Sequence, residues 1–187
     1  MEKIEIPNEF VPFQKIGRYS RNCTISEKID GTSAQIYIGK DGQFLAGSRT
    51  RYITPENDNF GFAKWAYAHK DELMGMGAGR HYGEWWGPGI QRGYGLAEKR
   101  FSLFNSLRWG PHNPPPACCH VVPMLGTGPF DTTFIQSLMD DLSTNGSKAS
   151  PGFMRPEGIV IYHSQSRSLF KKTFEKDSEG KDGNSAE

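Results

Sequence analysis

Cysteine is scarce in this chain and poorly placed for cross-linking. There are three cysteines in 187 residues; Cys118 and Cys119 are adjacent, and Cys23 lies far from both. Neither a disulfide framework nor a zinc-ligand spacing is suggested, even with His112 and His120 near the pair. Net charge is also nearly absent, at +1 from 22 Lys and Arg against 21 Asp and Glu. A globally basic nucleic-acid coat is thereby excluded, and any polynucleotide contact must come from a local patch. No apolar run is long enough for a signal peptide or a membrane span, and the first residues, Met1-Glu2-Lys3-Ile4-Glu5-Ile6-Pro7, mix both charges. The expectation is a cytoplasmic protein with no membrane segment. What remains, 36% hydrophobic and 12% aromatic residues, suffices for one packed domain.

Periodicity sorts much of the chain into elements. Ala34, Ile36 and Ile38 alternate with Gln35 and Tyr37, Gly39-Lys40-Asp41-Gly42 supplies turn chemistry, and Gln43-Phe44-Leu45-Ala46 returns, so this stretch predicts a β-hairpin. Asn57 to Met74 places Phe62, Trp65, Ala66, His69 and Leu73 at helical spacing and predicts one helix, ended by Gly75, Gly77 and Gly79. Phe101-Ser102-Leu103-Phe104 and Cys119-His120-Val121-Val122 read as strands, and Gly110 to Pro116 as a proline-rich loop. Asp131 is placed to cap a helix with the buried stripe Phe134, Ile135, Leu138, Met139 and Leu142, closed by Asn145-Gly146. Ser143 to Ser150 reads as polar and mobile, Ile159 to Tyr162 as a buried strand, and Ser168 to Phe174 as a further strand. Phe10 to Ile16 is too irregular to assign.

Charged and glycine-bearing residues punctuate these elements in a particular order. Ser26-Glu27-Lys28-Ile29-Asp30-Gly31-Thr32 reads as a charged turn just before the hairpin. Lys-x-Asp-Gly alone arises by chance in about one chain of this length in twenty-five, so its neighbours must carry the inference. The return strand of the hairpin brings Ser48-Arg49-Thr50-Arg51 beside the lysine, because antiparallel pairing returns the chain to its starting end. Gly83-Glu84-Trp85-Trp86-Gly87-Pro88-Gly89-Ile90-Gln91 sets a carboxylate among aromatics, with glycines that admit a ligand close to the backbone. Glu157-Gly158 introduces one buried strand, and Lys171-Lys172 lies in the last one.

Taken in order, Lys28-x-Asp-Gly, Ser48-Arg49, Gly83-Glu84, Phe101 to Phe104, Glu157-Gly158 and Lys171-Lys172 resemble the covalent nucleotidyltransferase superfamily of ATP-dependent ligases and RNA capping enzymes. Glu27 to Thr32, Gly83 to Gln91 and Val122-Pro123-Met124-Leu125-Gly126-Thr127-Gly128 are most similar to the RNA ligase 2 family, over about residues 24 to 174. The resemblance implies an α+β fold of two antiparallel β-sheets with flanking helices, an ATP-grasp-like ligase fold with the nucleotide in the cleft between the sheets. It implies an adenylyltransferase domain over residues 1–175, and the charged, glycine-containing stretch 176–187 reads as a polar, frayed tail. It also implies three steps: adenylation of a lysine by ATP, transfer of AMP to a 5′-phosphate end, and attack by a 3′-hydroxyl.

On that resemblance Lys28 is the nucleophile, with Lys171 and Lys172 completing the catalytic set. Glu84 and Arg49 would hold the ribose, and Phe104 would stack on adenine. Glu27 and Ile29, flanking the lysine, belong to the nucleotide site, as does Ser33, which stands where the family often has asparagine. Glu157 and Asp30 would order Mg²⁺ or Mn²⁺ and its waters. A free lysine has pKa about 10.4, so about one in two or three thousand is neutral at pH 7. Cations such as Arg49, Lys171, Lys172 and the metal favour the neutral amine, and they also neutralise charge on the α-phosphate and pyrophosphate.

In the last motif the family pattern Lys-x-Lys is imperfect, and strand alternation favours Lys171, with Thr173 in the second place. A DNA ligase, a capping-type guanylyltransferase, or a binding module without turnover would share the same residues. The expected partners are RNA or nicked nucleic-acid ends and ATP, the expected state a monomer. Relatives carry a further C-terminal domain, whereas the segment from Glu175 to Glu187 is too short for one. A separate end-binding partner would fit that reading. Arg51, Arg92, Lys99 and Arg100 are the candidates for gripping a polynucleotide, expected to do so weakly and with strong salt sensitivity.

Overall fold

The structure, a computed structural model, describes residues 11–175; the polar tail and the first ten residues lie outside the described part. In chain order the elements are β1 (Asn22–Lys28), β2 (Thr32–Ile38), β3 (Phe44–Ser48), β4 (Tyr52–Ile53), α1 (Phe62–Ala68), α2 (Lys70–Met74), β5 (Gly79–Trp86), β6 (Arg100–Leu103), β7 (His120–Val121), β8 (Met124–Pro129), α3 (Thr132–Asn145), β9 (Gly158–His163) and β10 (Ser168–Thr173). They form a six-stranded sheet of order β4-β3-β2-β5-β6-β7 and a four-stranded sheet of order β10-β9-β1-β8. Every pairing is antiparallel except β6 with β7. The architecture is the α+β arrangement of two sheets with flanking helices that the resemblance implies.

Each sheet buries one face under helix, and strand alternation decides which side chains go there. In the six-stranded sheet Ala34, Ile36, Ala46, Trp85, Phe101 and Leu103 face Phe62, Ala63 and Ala66 of α1, and all are buried. In the four-stranded sheet Cys23, Ile25, Ile159 and Ile161 face Met139 and Leu142 of α3. A third cluster, Ile29, Trp86, Tyr94 and Val122, contains residues that leave both sheets and fills the joint. α3 begins where Asp131 accepts a hydrogen bond from the Phe134 amide at 2.8 Å, and it stops at Gly146, whose amide reaches the Leu142 carbonyl. The capping expected from the sequence is thus present.

Four local expectations change. Lys28 does not sit in a charged turn but is the last residue of β1, whose alternation places Cys23, Ile25 and Glu27 on the covered side. A carboxylate at a buried position hides that period from the sequence. The helix expected over 57 to 74 begins at Phe62 and breaks at His69 into two short pieces. The segment 143 to 150 is not a mobile stretch: its start belongs to α3, and Ser147 and Ser150 are buried. β8, read only as a motif, is a strand whose glycines weaken the propensity signal. Residues 11–18 have no regular structure, and Val11, Phe13 and Ile16 are exposed.

Candidate active site at the junction of the two sheets

β1 ends at Lys28 in the four-stranded sheet, and four residues later β2 starts the six-stranded one. The lysine therefore stands where the chain crosses between layers. Gly31 makes that crossing possible: a Cβ there would lie 2.5 Å from the Trp85 carbonyl oxygen and 2.8 Å from the Trp86 Cβ, so only glycine lets the backbone press against β5. Its amide instead donates to Glu84 Oε1 at 3.1 Å.

The crossover is held on each side. The Asp30 amide donates to Tyr94 Oη at 2.9 Å, and Asp30 Oδ2 accepts from Arg92 Nε at 2.8 Å. Arg92 in turn donates to the Arg155 carbonyl at 3.3 Å and pairs with Glu175 at 3.3 Å. Tyr94 is buried between Trp86 and Phe153, and burial pushes its phenol pKa upward. Arg92, expected among the candidates for gripping a polynucleotide, is instead a strut of the loop after Lys28. Neither its role nor that of Tyr94 shows in the sequence; the only local signal is an aromatic set between Gly93 and Gly95.

Lys28 Nζ lies 2.6 Å from Glu157 Oε2, with both side chains about three-quarters or more shielded from solvent. Gly158, at φ +152°, lies opposite Lys28 in the β1–β9 ladder. That conformation suits glycine and positions the preceding carboxylate at the amine. Burial raises the Glu157 carboxyl above its ordinary range, although the Lys28 bond opposes the shift. Glu84 is pushed up to about 7, chiefly by burial, with the negative charges of Glu157 and Asp30 adding and Lys28 subtracting. Two carboxylates thus act on one amine, with Asp30 as a neighbouring charge of both.

The ladder pairings determine which residues share this cleft. In the six-stranded sheet Ser33 lies opposite Glu84, and Glu84 opposite Ser102, so all three side chains occupy the face opposite the α1 core. Phe104 follows β6, its amide bonded to the Tyr82 carbonyl, and its ring is half exposed on that face; Phe101 packs in the core against Phe62 and Trp65. Arg49 is exposed on the turn after β3, at the sheet end where β2 begins. In the four-stranded sheet Lys28 pairs with Gly158, which pairs with Thr173, and Val160 pairs with Lys171. Lys171 and Thr173 therefore share the Lys28 face. Lys172 lies opposite Ile159 on the α3 side, so its side chain starts on the face away from the amine. A groove of about 790 Å³ runs beside α3, lined by Thr132, Gln136, Asp140, Ile161, Lys171 and Lys172 among others. Its α3 lining belongs to that opposite face, and Lys171 reaches it from the edge strand.

Two expected nucleotide residues direct their side chains inward. Ile29 is buried in the joint cluster. The Glu27 carboxylate is buried and accepts from Ser147 Oγ at 2.5 Å, the Lys148 amide at 2.7 Å and the Ala149 amide at 2.9 Å. Burial raises its pKa, opposed by those three donors. Only the main chain at 27 and 29 is left for a nucleotide. Of the other candidates for a polynucleotide grip, Lys99 is bonded to the Phe60 carbonyl at 2.7 Å, the Arg100 Nε is buried without a hydrogen-bond partner, and Arg51 is exposed. No group of three His, Cys, Asp or Glu among the described residues could hold a metal.

A family model described as RNA ligase matches residues 21–175. The chain belongs to the RNA ligase family. Solved structures of Naegleria gruberi RNA ligase share its fold. A lysine-to-alanine variant with ATP and Mn is 18% identical, with TM-score 0.60, covering 82% of this chain and 50% of that one. A lysine-to-methionine variant with AMP and Mn is 17% identical, with TM-score 0.60, covering 83% and 50%. An arginine-to-alanine variant with ATP and Mn is 18% identical, with TM-score 0.60, covering 86% and 52%. The RNA ligase family chain thus spans about half the length of these neighbours, and the curated proteins include no match to it.

Proposed function

We propose that this RNA ligase family chain is an ATP-dependent polynucleotide ligase, with RNA as its polymer, that works through a lysyl-AMP intermediate on Lys28. The observation that carries the reading is the placement of Lys28: a partly shielded amine 2.6 Å from a carboxylate, at the crossing of two sheets, opposite a face that carries Glu84, Ser33 and an exposed aromatic ring. The adenylyltransferase unit is taken to end with β10, and three free thiols suit a reducing, cytoplasmic setting. No described helix is long and apolar enough to cross a membrane.

In the first step the neutral Lys28 amine attacks the α-phosphorus of ATP. A P–N bond forms, the bond to the β-phosphate oxygen breaks, and pyrophosphate leaves. The ammonium proton has a receiver at hand, since Glu157 Oε2 is hydrogen-bonded to Nζ and its carboxyl is raised towards lysine's side of the balance. Lys171, on the same face, faces the developing phosphate charge. Glu84 and Ser33 form the polar edge that suits a ribose, and Phe104 offers its face to the adenine at roughly the 1–3 kcal/mol of base–aromatic stacking. AMP then passes to a 5′-phosphate end, and a 3′-hydroxyl displaces it to seal the strand.

The neighbours with Mn contain ATP or AMP, and the carboxylates here fit a metal that arrives with phosphates, since Mg²⁺ takes one or two protein carboxylates and completes its shell with water and phosphate oxygens. Asp30 would hold it, joined by Glu157 once the Lys28 proton has passed on to water. When bound it supplies positive charge to the phosphates.

Incubation with labelled ATP or GTP followed by denaturing electrophoresis tests the reading. Wild-type protein is expected to retain AMP and not GMP, and Lys28→Ala to lose the label while keeping its circular dichroism spectrum. Label from GTP would make the chain a capping-type enzyme, and AMP mapped by mass spectrometry to another lysine would displace Lys28.

A further inference from the structure

The solvent-facing side of the six-stranded sheet does not end at the nucleotide site. One pair beyond Ser33 and Glu84, Gln35 lies opposite Tyr82; one pair further, Tyr37 lies opposite Arg80. Gly47 of β3 is the next neighbour of Gln35, and Tyr52 of β4 the next neighbour of Gly47. All these side chains share the face of Glu84, because alternation carries every second residue to the same side. From Ser33 to Tyr37 the row runs about 14 Å along β2 at the usual strand rise.

This face is unusual for an exposed one. Tyr82 is 52% exposed and Tyr52 46%, and neither ring packs in a core cluster. Arg80 connects them: its Nη1 donates to Tyr52 Oη at 2.9 Å and to Gln35 Oε1 at 3.3 Å, and its guanidinium lies 4.8 Å from the Tyr37 ring centroid. Apart from Glu84, no strand position on this face is acidic. Arg49 and Arg51 stand exposed at its rim, in the turn between β3 and β4.

We propose that Tyr37, Tyr52, Arg80 and Tyr82 form a track for single-stranded RNA, continuous with the site of Lys28, on which unpaired bases next to the reacting end stack. The proposal rests on the ligase reading for its polymer. Aromatic rings standing on an open antiparallel sheet face provide the geometry on which sheet-based RNA modules stack splayed bases. Tyrosine suits this position because its face takes a base while its hydroxyl remains wet and can bond a 2′-hydroxyl. A duplex keeps its bases stacked on one another and cannot use the rings, so the track favours a single strand over a paired end. An acidic polymer also matches a face whose charges beyond Glu84 are arginines. Aliphatic side chains, which a protein partner would want, are limited on this face of β2, β3 and β4 to half-buried Leu45.

The test is fluorescence anisotropy with a short labelled single-stranded RNA and a blunt duplex of the same sequence, run beside self-adenylation with labelled ATP. Tyr82→Ala and Tyr52→Ala are each expected to weaken single-strand binding about tenfold, the ordinary size of a lost base–ring stack. Both are expected to leave the salt slope and the AMP label unchanged. Arg80→Gln should lower the slope of log affinity against log salt by about 0.7, one neutralised phosphate on a single strand. Tyr82→Phe should keep affinity and Tyr82→Leu should lose it, which separates stacking from mere bulk. Unchanged affinity in the Tyr52→Ala, Tyr82→Ala double variant would overturn the proposal, as would stronger binding of the duplex. Loss of the AMP label in parallel with RNA binding would also overturn it, since the rings would then serve the nucleotide. A wild-type protein that takes no AMP yet binds RNA through these rings would remove the ligase reading and support the track.

Discussion

Glu84 accepts one backbone hydrogen bond in a buried position between two sheets, and it is held at about 7 against an ordinary 4.5. Folding therefore binds a proton more tightly than unfolding does between those two values, and stability falls as pH rises through that window, levelling off above about 7. The full cost of ionising the group is about 3 kcal/mol. Glu84→Gln keeps an acceptor for the Gly31 amide and removes the charge. It is expected to stabilise the protein by up to about 3 kcal/mol at about pH 8 and by under about 1 kcal/mol at about pH 5. Urea melts at the two pH values would show it, and an equal change at both would mean that burial is not what raises the group. The same substitution should weaken nucleotide binding, because a carboxylate poised near neutrality can accept from ribose hydroxyls and a carboxamide does so less well. Nothing in the sequence marks Glu84 as protonatable, since the burial that raises it, and the Asp30 and Glu157 charges that add to the shift against Lys28, come from positions distant in the chain. The struts Arg92 and Tyr94 are hidden for the same reason: each meets Asp30 across more than sixty residues of chain.

At the level of elements, the last strand is the place where two lysines compete for one role. β10 pairs with β9 so that Lys171 lies beside Val160 and Lys172 beside Ile159, and the two point to opposite faces of the sheet. Lys171→Ala is therefore expected to slow formation of the covalent adenylate by tenfold or more, the scale of losing one charge-stabilising donor, about 2 kcal/mol or above. Lys172→Ala should slow it far less. Single-turnover labelling with saturating ATP distinguishes them, and equal losses would mean that the strand register does not decide the role. Strand alternation could be applied to this question from sequence because β10 is short and its neighbours are plain. The hairpin of β2 and β3 was legible for the same reason, with apolar residues at every second place and a glycine turn between. β1 was not. Its period includes Glu27, and a carboxylate on the covered side reads as a turn until the loop after α3 is seen to satisfy it with three donors. The long helix expected over 57 to 74 failed differently, because the apolar period continues through His69 while the backbone there leaves the helical region at φ −106°.

For the whole molecule, the two sheets are assembled from the chain in different ways. The six strands of the larger sheet come from one continuous stretch, Thr32 to Val121, with neighbouring strands mostly consecutive. The smaller sheet takes β1 from before that stretch and β8, β9 and β10 from after it. Its central pairing, Lys28 with Gly158, closes a loop of well over a hundred residues. Loop-closure entropy must be met before such contacts stabilise anything, so local pairings form first. Pulsed hydrogen exchange during refolding should protect the amides of β2, β3 and β5 before those of β1 and β9. Simultaneous protection, or protection of β1 first, would show that the sheets fold as one unit.

That arrangement also has a consequence for synthesis on the ribosome. Lys28 leaves the ribosome well before its partners: its carboxylate partner, its neighbouring strand and the pair that braces Arg92 through Glu175 come more than a hundred residues later. A nascent chain carrying the larger sheet alone would have Lys28 on a dangling strand, with neither the Glu157 carboxylate that bonds it nor Lys171 on its face. On the ligase reading, the chain would take no AMP onto itself until nearly all of β10 has left the tunnel, so the site would be armed by completion of the last strand.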